Sequence, residues 1–194
     1  MKIIAAPKYG PIHRFSDFHV FKTLQVLSDG ERRGRRQLAQ IVGVGEGSMR
    51  TIIEYLREKK FVDVRHAGVK ITSKGLQFLT KIPIEIRHLE PTDITMGQHG
   101  VAVKVSGKSQ EVKSGIEQRD SAVKAGADGA TTIVIREGRL IIPNDYDLDA
   151  KRPDIARLLR STFDLSDGDV IIVGRSADPL LAEKGALAAA FDLL

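Results

Sequence analysis

The chain has no cysteine and no tryptophan, and aromatic residues make up only 5% of its 194 positions. Without thiols it forms no disulfide, runs no thiolate chemistry and builds no cysteine-based zinc site. Long apolar runs are missing too, and nowhere do ~20 consecutive apolar residues occur, the length a membrane-spanning helix needs. The opening stretch "MKIIAAPKYG" carries too short an apolar run for the core of a secretory signal. The expected compartment is therefore the cytoplasm. What is present is ordinary for a globular protein, with 42% hydrophobic and 28% charged residues. A chain of this length holds one medium domain or two small ones.

The net charge of +5 conceals an asymmetry. Residues 1–88 hold 17 Lys and Arg against 8 Asp and Glu, whereas residues 89–194 hold 13 against 17. A basic half joined to an acidic half points to a polyanion-binding head and a body with another task.

In "FSDFHVFKTLQVLSDG", Phe18, Phe21, Leu24 and Leu27 recur every three residues, the apolar stripe of an amphipathic helix. Ser16 or Asp17 suits its start, and Gly30 can end it in a left-handed conformation. After "ERRGRR", a loose basic stretch, Leu38, Ile41 and Val42 mark the inward face of a second helix that Gly43 ends. The short glycine-rich "VGEG" then leads into "SMRTIIEYLREKK", where Met49, Ile53 and Leu56 share a face bordered by Ile52. Ser48, Arg50, Thr51, Glu54 and Arg57 look outward. Two helices joined by a tight glycine-containing turn make a helix-turn-helix. The third helix is long enough to lie in a DNA major groove. From Phe61 the period changes to two in "FVDVRHAGVKIT", a hairpin turning at Ala67-Gly68 with a basic tip of Arg65, His66 and Lys70. A short helix in "SKGLQFLTKI" closes a winged helix.

On double-stranded DNA, the planar fork of Arg50 matches guanine O6 and N7, a contact worth about 1–3 kcal/mol of discrimination. Ser48 and Thr51 can bond phosphate or a base edge. Arg35, Arg36 and Arg57 suit phosphates, while Arg65, His66 and Lys70 suit the backbone or minor groove beside the wing.

The stretches "LAQIVGVGEGSMRTIIEYLREKKFV" and "GVKITSKGLQFL" resemble the winged helix-turn-helix heads of prokaryotic transcription regulators. That family's pattern is a Leu-Ala pair, a Gly-containing turn, a small polar residue opening the recognition helix, and a terminal T-x-K/E-G segment. Here these are Leu38-Ala39, Gly45 to Gly47, Ser48, and Thr72 to Gly75. Lys60 departs from the pattern, since a glycine often stands between the recognition helix and the wing. The resemblance covers roughly residues 12–82 and implies a DNA-binding head.

The domain boundary is expected at 82/83, giving a head of residues 1–82 and a body of residues 83–194. Ile82, Ile84 and Ile86 alternate with Pro83, Glu85 and Arg87, an extended strand in which Pro83 disfavours a central place. Pro91, Thr92, Asp93 and Gly97 form a loop. Beyond it, "GVAVKVSG" reads as strand, "SGIEQRDSAVKAGA" as helix, and "ATTIVIREGRLIIPN" as a hairpin turning at Glu137-Gly138. "KRPDIARLLRSTF" follows as a helix with Pro153 near its start, "GDVIIVGRS" as a strand, and "DPLLAEKGALAAAFDLL" as a last helix. The β-α-β-β-α-β-α order is that of a ferredoxin-like, split β-α-β layer with an added helix, so the whole chain is α+β. Head and body together, above all "IEQRDSAVKAGADGATTIVIREGRLIIPN", resemble a family of archaeal winged-helix proteins, which implies a regulator but assigns no ligand and no catalytic residue.

Chemistry in the body is sparse. "AGADGATT" lacks the spacing of a phosphate-binding loop and reads as a plain helix-to-strand connection. Asp145, Asp147 and Asp149 alternate as in a calcium loop, but Ala150 and Ala156 stand where that loop needs Gly and Glu. His13, His19, His66, His88 and His99 show no paired ligand spacing and read as surface or wing residues. In "GIEQRD", Arg119 can bind a small acidic effector or form an ion pair with a neighbouring carboxylate. No nucleophile–base set is legible, so neither enzymatic activity, cofactor nor metal is expected. The expected function is a homodimeric transcription regulator whose body senses an effector or dimerises. The competing expectation is a protein-interaction adaptor whose winged helix docks a partner chain.

Overall fold

The structure, a computed structural model, describes residues 15–96 and 98–194. His13, Gly97 and the opening stretch lie outside them. The chain divides into two compact units between Ile82 and Pro83.

The first unit runs α1 (Asp17–Val26), α2 (Arg35–Val42), α3 (Glu46–Glu58), β1 (Val62–Arg65), β2 (Gly68–Ile71) and α4 (Ser73–Thr80). Phe18, Phe21, Leu24 and Leu27 are buried together with Leu38, Val42, Met49, Ile52 and Leu56. Ser16 is the residue before α1, and its N–H donates to His19 Nδ1 at 2.9 Å. His19 is buried on α1 rather than exposed, because the short helix needs all of that face for its core. Ile41 departs in the opposite sense and is 39% exposed. With Leu38, Ala39 and Val42 already filling the inward face of so short a helix, the next apolar residue is left outside.

Two left-handed residues end α2 and α3. Gly43 has φ 74°, with Val44 N–H donating to Ala39 O and Gly43 N–H to Gln40 O, the paired bonds of a Schellman cap. Lys60 repeats the arrangement after α3 with φ 61°, its own N–H reaching Arg57 O and that of Phe61 reaching Leu56 O. The lysine thus occupies the site where the family pattern has glycine. It is held there by the Thr72 hydroxyl, which donates to Lys60 O at 2.8 Å. Thr72 also caps α4, accepting from Gly75 N–H at 3.1 Å. A Cβ on Gly75 would lie 2.3 Å from Phe61 O, so helix and wing approach as only glycine allows. The "TSKG" signature is thereby a packing device.

The second unit contains β3 (Ile84–Leu89), β4 (His99–Val105), α5 (Ile116–Lys124), β5 (Gly129–Arg136), β6 (Arg139–Ile142), β7 (Tyr146–Asp147), α6 (Leu148–Lys151), α7 (Pro153–Thr162), β8 (Val170–Ser176) and α8 (Pro179–Phe191). Its strands form one antiparallel sheet in the order β3-β4-β8-β5-β6-β7. β4 and β5, joined through α5, run parallel with β8 between them, which is the split β-α-β arrangement. β3 lies at an edge, the position that Pro83 just before it tolerates. β5 and β6 turn tightly at Glu137-Gly138, with φ 50° and 72°.

Helices cover both faces of this sheet. Ile133, Ile135, Ile171 and Val173 point to Ile155, Leu159 and Phe163 of α7 and the residue after it. The alternate residues point the other way, where a Cβ on Gly174 would lie 2.5 Å from Ala182 O of α8. α8 is apolar on nearly every side because sheet and α5 enclose it. A Cβ on Gly185 would fall 2.4 Å from the Cβ of Ala127, just after α5, so that crossing is tight as well.

Candidate nucleic-acid interface

The sequence proposed nine side chains for DNA, and five of them line one groove of about 380 Å³ between α3 and the wing: Arg35, Arg50, Arg57, Arg65 and His66. Ile53 and Val64 form part of its floor. Each of the five is exposed. The turn places them there: α2 ends at Gly43, α3 begins after Gly45, and the two helices pack through Leu38, Met49 and Ile52. The outward edge of α3 is left uncovered within its unit.

The other four proposed residues, Ser48, Thr51, Lys70 and Arg36, do not line that groove. Ser48 is the third residue of α3 rather than its opening residue, because Gly45 is the cap and Glu46 begins the helix. Thr51 donates its hydroxyl to Gly47 O at 3.3 Å, a bond a ligand must replace. The hairpin turns at His66-Ala67, one residue earlier than the spacing suggested, since Arg65 pairs with Gly68. Lys70 consequently sits opposite Asp63 along the wing and not at its tip. Arg36 is exposed beside the groove without lining it.

Several cations have acidic neighbours. Arg50 Nε meets Glu54 Oε1 at 3.0 Å. Such an exposed i,i+4 pair is worth about 0.3–0.5 kcal/mol, below the ~1–3 kcal/mol of a bidentate base contact, so DNA can displace it. Glu46 lies 3.7 and 3.8 Å from Arg35 and Arg36, distances that hold them loosely. Arg57 has no ion pair among the described residues.

The stretch "ERRGRR" proves not to be loose. Arg33 makes a two-way backbone bridge with Val69, 3.0 and 2.9 Å, an isolated antiparallel bridge to the edge of the two-stranded wing. Gly68, φ 117°, is required beside it, since a Cβ there would lie 2.8 Å from Arg33 O. Arg33 also forks onto Asp29 at 2.8 and 2.5 Å, and its guanidinium holds the Asp29 carboxyl down to about 2. Arg32 donates to Gly68 O at 2.8 Å and pairs with Asp63. The hydrogen bond from Arg32 holds the Asp63 carboxyl below its ordinary range, and Arg65 reaches the same carboxylate at 2.9 Å. These two arginines set the angle of the wing, a role no local spacing announces.

In the other unit, Glu117 accepts from the Ser114 hydroxyl at 3.2 Å, and Arg119 makes no ion pair among the described residues. Two of the three alternating aspartates have structural roles: Asp147 caps α6 by accepting from Ala150 N–H, and Asp149 pairs with Arg160 while accepting from Leu140 N–H.

Comparison with known proteins agrees with this geometry. Residues 18–86 match the family model described as CggR N-terminal DNA binding domain. Residues 96–193 match the one described as Domain of unknown function (DUF4443), over half of the chain. The chain belongs to the DUF4443 family. Its head is a winged helix of the DNA-binding type. The central glycolytic genes regulator of Bacillus subtilis (strain 168) is 32% identical over 60 residues, which are 31% of this chain and 18% of that protein. The chain thus spans under a fifth of that relative's length. Among solved structures, the hypothetical protein PH0730 from Pyrococcus horikoshii OT3 superposes with a TM-score of 0.74 at 28% identity, covering 93% of each chain. A DUF4443 chain with a winged-helix head is therefore an α+β protein over its whole described length. None of its described helices is long and apolar enough to cross a membrane.

Proposed function

We propose that this DUF4443 protein is a transcription regulator that binds double-stranded DNA with α3 in the major groove and the β1–β2 wing beside it. The observation that carries the reading is the basic groove, in which Arg35, Arg50, Arg57, Arg65 and His66 converge from three elements. Arg50 reads base edges with Ser48 and Thr51, while Arg35, Arg36, Arg57 and the wing cations Arg65, His66 and Lys70 neutralise phosphates. The second unit pairs two copies and senses a small molecule. Exposed Ile116 and Val123, two turns apart on α5, support self-association. Symmetric pairing of two heads would set a fixed half-site spacing.

Selection of genomic fragments with the full-length protein, followed by a salt titration on the winning site, tests this reading. The logarithm of the affinity falls linearly with log salt, and the slope becomes shallower by about 0.9 for each phosphate-contacting arginine removed. Arg35→Ala with Arg57→Ala should flatten it by nearly two. A slope indifferent to both would contradict the assignment.

A further inference from the structure

We infer that the second unit carries a binding site for a small organic anion, a carboxylate or phosphate head on an apolar body, built around Arg119 and Arg175. This deepens the effector-sensing reading above and rests on it for any consequence at DNA.

The site exists because the sheet is incomplete. β6 pairs with β5 only from Val134 to Arg136, so no described strand covers Gly129–Thr132 on the side away from β8. The chain leaves at Pro143, and a trough opens there. Its larger part, about 280 Å³, is floored by Ile142, Leu148 and Ile155 and rimmed by Arg119, Arg152 and Arg175. A smaller hollow of about 250 Å³ shares Arg119, Thr131 and Ile142 with it. An apolar floor with a few convergent polar groups is the usual construction of a metabolite site, and this volume lies at its small end.

The charges distinguish the head group. Arg152 is satisfied, meeting Asp93 at 3.0 Å and Asp154 at 2.7 Å. Arg175 is half-buried, and the only hydrogen bond of its guanidinium among the described residues runs to Gln98 Oε1 at a long 3.4 Å. Arg119 has no carboxylate partner among them. Two uncompensated guanidiniums thus face one trough in a unit that is otherwise acidic. Arg119 is exposed, whereas Arg175 is partly desolvated, which is costly for a cation unless it is paired. The planar guanidinium fork fits a carboxylate or phosphate with two parallel bonds. Gly129 makes the placement possible, since a Cβ there would lie 2.8 Å from the Arg175 guanidinium. Thr132, 3% exposed and lining the smaller hollow, has a hydroxyl without a protein partner.

The test is calorimetric titration of the full-length protein with phenyl phosphate, phenylacetate and uncharged benzyl alcohol, each up to about 10 mM, where millimolar affinity is measurable. At least one anion should bind, the tighter one naming the head group, and benzyl alcohol should not. Arg119→Gln and Arg175→Gln should each weaken binding about tenfold or more, as loss of a charge-assisted hydrogen bond does. Arg136→Gln, outside the trough, should leave it unchanged, and the melting temperature of each variant verifies folding. Failure of both anions, equal binding of benzyl alcohol, or folded arginine variants that bind like the parent would overturn the inference. A mobility shift on the same samples separates the two readings: duplex binding without anion binding sinks the trough alone. Arginine-dependent anion binding without duplex binding leaves the trough standing and sinks the regulator.

Discussion

The two units use the same ionic side chains in opposite ways. In the head, arginines on α2, α3 and the wing reach into solvent, and their acidic neighbours form surface pairs: Glu46 lies 3.7 Å or more from Arg35 and Arg36, while Glu54 and Asp63 meet Arg50 and Arg65 at 3.0 and 2.9 Å. In the body, carboxylates outnumber cations, but Asp147, Asp149 and Asp169 are tied down as caps, pairs and loop anchors. Asp169 is buried, accepting from the Gly107 and Ser166 N–H groups. The head's charge is therefore available to a partner, while much of the body's charge holds its own chain together. Net charge alone would have paired a DNA-binding surface with an equally exposed acidic one. Within the trough, the groups left without a carboxylate partner among the described residues are cationic, Arg119 and Arg175.

The hardest way to break one unit while sparing the other is through its close-packed glycine. Gly75→Ala puts a methyl against Phe61 O, and Gly174→Ala puts one against Ala182 O. Each overpacked contact should cost about 3 kcal/mol, the upper range for such changes. Amide hydrogen exchange should show faster exchange within residues 17–80 for the first variant and within residues 99–191 for the second. Uniform acceleration across both spans in either variant would deny that the units hold together separately.

Acid provides a milder probe that treats both units alike. Arg33 holds Asp29 at about 2 in the head, and Arg152 holds Asp154 at about 2 in the body, mainly through side-chain hydrogen bonds. Because these folded-state values lie below the ordinary 3.8, the stabilisation is complete above that pH and disappears as pH falls toward 2. Asp29→Asn and Asp154→Asn should therefore unfold earlier than the parent in urea at pH 6, and the gap should close on acidification through that window. A gap constant with pH would show that the two carboxylates act through packing alone.

The smallest expected effect concerns Lys60. A left-handed lysine costs roughly 1–2 kcal/mol in backbone strain, and glycine relieves it while losing some of the gain to unfolded-chain entropy. Lys60→Gly should stabilise the head by roughly 0.5–1 kcal/mol in urea unfolding. Destabilisation would mean that the lysine side chain contributes more than its backbone costs.

The head was largely legible because its signals are local. Helix period, a glycine turn, a switch to period two and the Thr72–Gly75 segment each lie within a few residues of one another. Where local reading slipped, at Ile41, His19 and the hairpin turn, short elements left too little pattern to set a face or a register. The body's strands and helices were legible one by one, down to the Glu137-Gly138 turn, but not their pairing. β8 lies between β4 and β5 through contacts spanning many tens of residues, and no local periodicity encodes that choice. The trough depends on the same pairing, since Arg119 was visible as a candidate whereas Arg175 joins it only through the β5–β8 register. Arg32 and Arg33 were hidden for a related reason: arginines that anchor a wing look, in sequence, like arginines awaiting a phosphate.

The central claim is that the outward edge of α3 reads DNA bases. The most direct measurement compares the parent and Arg50→Ala on a selected site, on that site with single guanine substitutions, and on mixed-sequence duplex at one salt concentration. The account predicts that Arg50→Ala loses about 1–3 kcal/mol of preference at one base position while most mixed-sequence affinity remains. Equal weakening on every duplex, with base preference intact, would contradict it.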